Sequence, residues 1–152
     1  MLNTSASPSR LLRRAAPLAL LLLASANLYA AQPAPLALTG GAEVPPVNTS
    51  ASGTANITIM PDRMVSGTVK VSGFVPTMAH IHEAAAGKNG PPIITLSKTA
   101  DDSFAVPADA RLNEAQFKSY EAGNLYINVH SASNPGGEIR GQLPGKAMKS
   151  GY

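Results

Sequence analysis

The sequence predicts an all-β fold: an antiparallel β-sandwich of Greek-key or immunoglobulin-like type, with about eight strands and one short helix. Three observations predict it. Apolar residues recur with period two in a series of short runs. Gly, Pro, Asn and Asp break those runs at regular intervals. Only one stretch has helical spacing with helix punctuation at both ends.

The elements follow in order. Leu36, Ala37 and Leu38 form the first strand, ended by Gly40 and Gly41. Residues 43–47 are extended, because the residue before each of Pro45 and Pro46 is pushed out of the helical region. In 53–60, Ala55, Ile57 and Ile59 share one face. Pro61, Asp62 and Arg63 turn the chain. In 64–73, Val65, Val69 and Val71 point inward and Ser66, Thr68, Lys70 and Ser72 outward. Strands over 78–83, 92–98 and 103–106 come next, with a turn-rich loop over 87–91. The helix starts at Asn113, a good N-cap, with Gln116 placed for a capping box. Phe117 and Tyr120 supply its apolar pair, and Gly123 the residue after its end. Strands over 125–130 and 138–143 close the domain. Leu125, Ile127 and Val129 face inward in the first of these, Ile139 and Leu143 in the second.

The chain has 152 residues, about one domain in length. Residues 1–30 read as a secretory signal. Arg10, Arg13 and Arg14 precede a short apolar run over 15–24, with cleavage expected after Ala26 or Ala30. Residues 31–35 are a linker, 36–144 the domain and 145–152 a flexible tail. The expected location is therefore secreted or periplasmic, with no membrane association once the signal is removed. The formal charge is +3. Losing those three arginines leaves nine basic and nine acidic residues, so the mature domain is near neutral and a basic nucleic-acid surface is not expected. Trp is absent and aromatics are few, which also disfavours base stacking. There is no Cys, so no disulfide staples the exported domain.

The chemistry-bearing residues are the three histidines, His80, His82 and His130. Period two places Met78, His80 and His82 on one strand face, opposite Ala79 and Ile81. If Ile127 and Val129 are buried, Asn128 and His130 point away from the core, as do Glu138, Arg140 and Gln142 on the last strand. All three imidazoles thus occupy non-core faces and converge if their strands are neighbours. His-x-His on a strand offers two nitrogens to one ion, and a third imidazole completes the set. Imidazole suits copper, zinc, iron and nickel, and the Met78 thioether would favour copper, with zinc as the alternative. Histidines on a strand's outer face otherwise hydrogen-bond as ordinary polar surface; here every histidine of the chain falls in the pattern. Arg140 is expected either to pair with a surface carboxylate or to sit near the metal as an outer cation that attracts a small anion. No catalytic residue is assigned. Gly136 and Gly137 read as a turn or bulge rather than a phosphate cradle, since no helix follows.

Residues 38–47, 79–82, 89–92, 125–130 and 136–143 together resemble the CHRD (chordin-domain) family, over nearly all of the mature chain. The resemblance implies a secreted β-sandwich and little about activity. A fainter likeness is to copper–zinc superoxide dismutase. Residues 67–73 followed by His80, Ile81, His82 and Glu83 are similar to the approach to that family's copper-binding histidines. His130 would stand for a later copper ligand and Arg140 for an anion-guiding arginine. The bridging histidine is missing at Gly90, Pro91 and Pro92, no zinc-ligand set follows, and the disulfide is absent. That likeness therefore implies at most a copper-only, three-histidine site. Three functions follow as expectations: a copper-binding domain that buffers, carries or delivers the ion, a copper-only dismutase-like oxidoreductase, or a non-enzymatic module with a protein partner.

Overall fold

The structure is a computed structural model, and it describes Met1 and residues 34–146. The chain divides into a unit of Met1–Ala31 and a unit of Gln32–Tyr152, and the fold described below belongs to the second. The expected signal over 1–30 with its two cleavage points, the first part of the linker and nearly all of the tail lie outside the described residues.

Among the described residues the second unit has nine strands and one α-helix: β1 Leu36–Thr39, β2 Ser52–Ile59, β3 Val65–Ser72, β4 Pro76–Glu83, β5 Pro92–Thr95, β6 Ser97–Ala100, β7 Ser103–Ala105, α1 Glu114–Glu121, β8 Leu125–Ser131 and β9 Ile139–Gln142. The expected all-β architecture with one helix is present. The strand pairings are antiparallel. The strand count differs from the expected eight because the run over 92–98 breaks at Leu96. That residue is buried, and its N–H bonds the Ala79 carbonyl at 2.9 Å, the last bond on the β4–β5 register before the chain leaves β4 for β6.

The break organises the whole sheet. All nine strands join in the order β5-β4-β8-β9-β1-β2-β3-β7-β6. The two end strands, β5 and β6, are separated in the chain by Leu96 alone. A sheet whose edges are consecutive in sequence must curl until they meet. The result is one nearly barrel-shaped sheet where spacing alone suggested a two-sheet sandwich.

The inside is apolar. Leu38, Val69, Ile81, Phe104, Leu125, Ile127, Val129 and Ile139 are all essentially inaccessible. Burying each aliphatic side chain contributes about 1.5–3 kcal/mol. The helix obeys its sequence signals. Asn113 accepts from the Gln116 N–H at 2.8 Å while the Gln116 side chain accepts from the Asn113 N–H at 2.9 Å. Gly123 follows the helix with φ +78°, a left-handed conformation that suits glycine. Residues 43–47 are not a strand; they run as irregular backbone after a turn of 3-10 helix at Gly40–Ala42.

One departure positions the site. In β8 every residue is buried, on both faces. Leu125, Ile127 and Val129 fill the core as expected. Tyr126, Asn128 and His130 point to the other face, but loops cover them. The period-two reading was right about which face each residue takes. It could not show that the second face is itself an interior.

Candidate metal centre

The site is laid out by strand order and register. β8 sits between β4 and β9. Across β4 and β8, Met78 pairs with His130, His80 with Asn128, and His82 with Tyr126. Across β8 and β9, Asn128 pairs with Arg140 and Tyr126 with Gln142. Three strands therefore deliver their even-numbered side chains to one shared patch.

The three histidines meet there. One ring nitrogen from each lies within 4.8 Å of the others. Metal–imidazole bonds of about 2.0–2.1 Å keep ligand nitrogens roughly 3.3–4 Å apart, so the trio is within about an ångström of a ligand geometry. His80 Nδ1 is 3.0 Å from His130 Nε2. The His82 and His130 rings are 8% and 7% exposed, and His80 is half-buried.

Two of the rings are oriented by backbone. His82 Nδ1 is 2.9 Å from the Gly90 carbonyl, and His130 Nδ1 is 2.9 Å from the Pro135 carbonyl. A carbonyl only accepts, so both Nδ1 atoms carry the proton and both Nε2 atoms hold a lone pair. Such carbonyl partners commonly fix the tautomer of metal-binding histidines. His82 Nε2 is buried with no hydrogen-bond partner. An orphaned buried acceptor is uncommon and calls for a physical reason.

The electrostatics agree with neutral rings. Burial pushes all three imidazoles below their ordinary range. For His80, the neighbouring rings of His130 and His82 push the same way. For His82, burial outweighs the Gly90 carbonyl, which favours the charged form, and Arg140 adds to the depression.

Arg140 is not at the surface. It is 2% exposed, and its N–H groups reach the Lys88 carbonyl at 2.8 Å, Asn89 Oδ1 at 3.2 Å and Gln142 Oε1 at 3.3 Å. Its guanidinium lies 3.4 Å from the centre of the Tyr126 ring. Tyr126 in turn stacks on His82, with centroids 4.9 Å apart and planes within 16°. With β8 in the middle, Tyr126 sits between a cation and a candidate ligand. The expected surface ion pair of Arg140 is thus replaced by a buried stack, and the guanidinium has no open face for a solvent anion. Met78 lies in register beside His130, but its side chain stays 48% exposed.

A family model decides the family: the CHRD domain matches residues 35–143. The chain belongs to the CHRD-domain family. No curated protein and no solved structure matches the chain. Within the CHRD domain, the match starts beside β1 and ends just beyond β9, so it contains every residue of the site.

Several residues of the site lay beyond the sequence reading. Tyr126 carried a signal, since it shares the phase of His130 on one strand. Glu43 carried none, because it arrives from the irregular segment before β2. Its carboxyl is buried and accepts from Asn128 Nδ2 at 3.4 Å, while Oε1 has no partner. Burial pushes its pKa up to about 7, with Arg140 opposing. Glu138 behaves differently. Its carboxylate accepts from Thr49, Ser131 and Asn134, and these donors hold it below the usual range. Asn128 Oδ1 is a further orphan of the same patch. No helix among the described residues is long and apolar enough to cross a membrane.

Proposed function

We propose that this CHRD domain is exported to the periplasm or the extracellular space and binds a single transition-metal ion, copper ahead of zinc, through His80, His82 and His130. Its role on this reading is to buffer, carry or deliver the ion. The observation that carries the proposal is the His82 Nε2 lone pair. It is buried without a partner, in a cluster where one nitrogen of each ring lies within 4.8 Å of the others. A bound ion would satisfy that atom; the polar-interior alternative leaves it uncompensated at a typical cost of about 1–3 kcal/mol.

The other parts fit supporting roles. Gly90 and Pro135 hold the tautomers. Arg140 and Tyr126 brace His82 from one side. On this reading Met78, exposed and in register with His130, would be a soft auxiliary donor.

The test is metal titration of the purified domain with Cu(I), Cu(II) and Zn(II), repeated with His80→Ala, His82→Ala and His130→Ala. One equivalent bound by the parent and lost in each variant supports the site. Binding that ignores all three substitutions, or no binding at all, overturns it and leaves the domain as an interaction module.

A further inference from the structure

We infer that the site selects monovalent Cu(I) over divalent ions, because Arg140 fixes a buried positive charge beside three neutral ligands. The inference rests on the three-histidine reading and goes on to name which ion that site takes.

The ligands themselves carry no negative charge, and the nearest ionised carboxylate, Glu138, is committed to Thr49, Ser131 and Asn134. The candidate group consists of imidazoles alone, with no carboxylate or thiolate among its members. Arg140 is separated from His82 by the Tyr126 ring only, and the guanidinium cannot be deprotonated in a protein. Its hydrogen-bond acceptors are an amide oxygen on each of Asn89 and Gln142 and the Lys88 carbonyl, all neutral. Arg140 takes part in no salt bridge among the described residues. Glu43 is the carboxyl whose acidity responds to Arg140, and burial keeps that carboxyl only partly ionised near neutral pH.

An incoming ion therefore meets a buried positive charge that Glu43 offsets only in part, in a partly dry site. The repulsion scales with the charge of the ion. At an effective dielectric constant of about 20, each extra unit of charge at this kind of separation lowers affinity roughly tenfold or more. Three imidazoles with a water also suit zinc, so the ligand set by itself does not separate the ions and the discrimination falls to charge and to Met78. Soft donors such as the neighbouring Met78 thioether favour Cu(I). Arg140 on this account is a specificity-determining positioning residue that never touches the ion.

The experiment measures anaerobic Cu(I) affinity by competition with a chromophoric chelator, and Cu(II) and Zn(II) affinities under matched conditions. The parent domain is expected to hold Cu(I) more than tenfold tighter than either divalent ion. Arg140→Met removes the charge and is expected to narrow that ratio about tenfold, whereas Arg140→Lys keeps it. Asn89→Asp, on an exposed loop, places a carboxylate against the same guanidinium and is expected to narrow the ratio in a chain whose core is untouched. A parent that binds Zn(II) or Cu(II) as tightly as Cu(I), or a ratio indifferent to both Arg140→Met and Asn89→Asp, overturns the selectivity. A parent that binds none of the three ions overturns the metal site itself, and the two failures are distinguishable.

Discussion

His80 Nδ1 stands 3.0 Å from His130 Nε2, although the residues are fifty positions apart in the chain. His130 Nε2 holds a lone pair, because its Nδ1 proton is committed to the Pro135 carbonyl. In the ion-free protein His80 Nδ1–H therefore donates to His130. An ion on His130 Nε2 takes the place of that hydrogen bond, so binding is coupled to the tautomer or orientation of His80.

Loss of any one histidine is expected to weaken metal binding by more than the ~10–100-fold typical of outer partners. The pH dependence carries a sign. All three rings are held below the ordinary imidazole range, so they stay neutral and able to ligate at pH values where a free histidine is protonated. With Glu43→Gln removing the carboxyl that titrates at about 7, affinity measured by competition should stay flat from pH 8 to below 6.5 and fall only lower. A decline centred at 6.5 would contradict the buried, neutral trio.

Tyr126→Phe is expected to keep the stack on His82 and lose the contact of the phenol oxygen with the Gly90 N–H, which measures 3.2 Å. Gly90 supplies the carbonyl that holds His82, so loosening it should cost roughly tenfold in metal affinity. Thermal stability should change little. An unaltered affinity would show that the loop holds its carbonyl without the phenol.

Glu43→Gln tests the buried carboxyl. The folded-state pKa is about 7, above the ordinary carboxyl value of 4.5. A raised carboxyl contributes stability that is complete below pH 4.5 and is lost as pH rises through about 7. The glutamine form should therefore be close to neutral at pH 4 and more stable than the parent at pH 9, by about 1–3 kcal/mol. Denaturant unfolding at the two pH values reads this directly. Equal effects at both would place Glu43 in an ordinary hydrated environment.

Asn113→Ala serves as the control far from the metal. It removes the side-chain acceptor of the helix capping box. The expected loss is about 1 kcal/mol of stability, with metal affinity unchanged. A change in metal binding would reveal coupling between α1 and the site, for instance through the hydrogen bond of the Ser119 hydroxyl to Glu83, next to His82.

The sequence by itself determined the β-class, the capped helix and the face taken by each histidine. Those features are local. Period two fixes which side of a strand His80, His82 and His130 occupy, and the Asn113 and Gln116 spacing fixes a cap whatever the fold around it. Strand order is not local, and only the tertiary structure decided it. Placing β4 beside β8 is what brings His130 to His80, and placing β9 on the far side of β8 is what sets Arg140 against Tyr126. Burial of the second face was equally invisible. An alternating strand looks the same whether its polar side meets water or the carbonyls of Gly90 and Pro135, because hydropathy records the side chain and not what lies above it. At the turn between the two end strands, Leu96 keeps its apolar side chain inside while its N–H bonds Ala79, seventeen residues back in the chain. Such non-local pairings are chosen by the summed packing of all nine strands, which no short window of sequence contains.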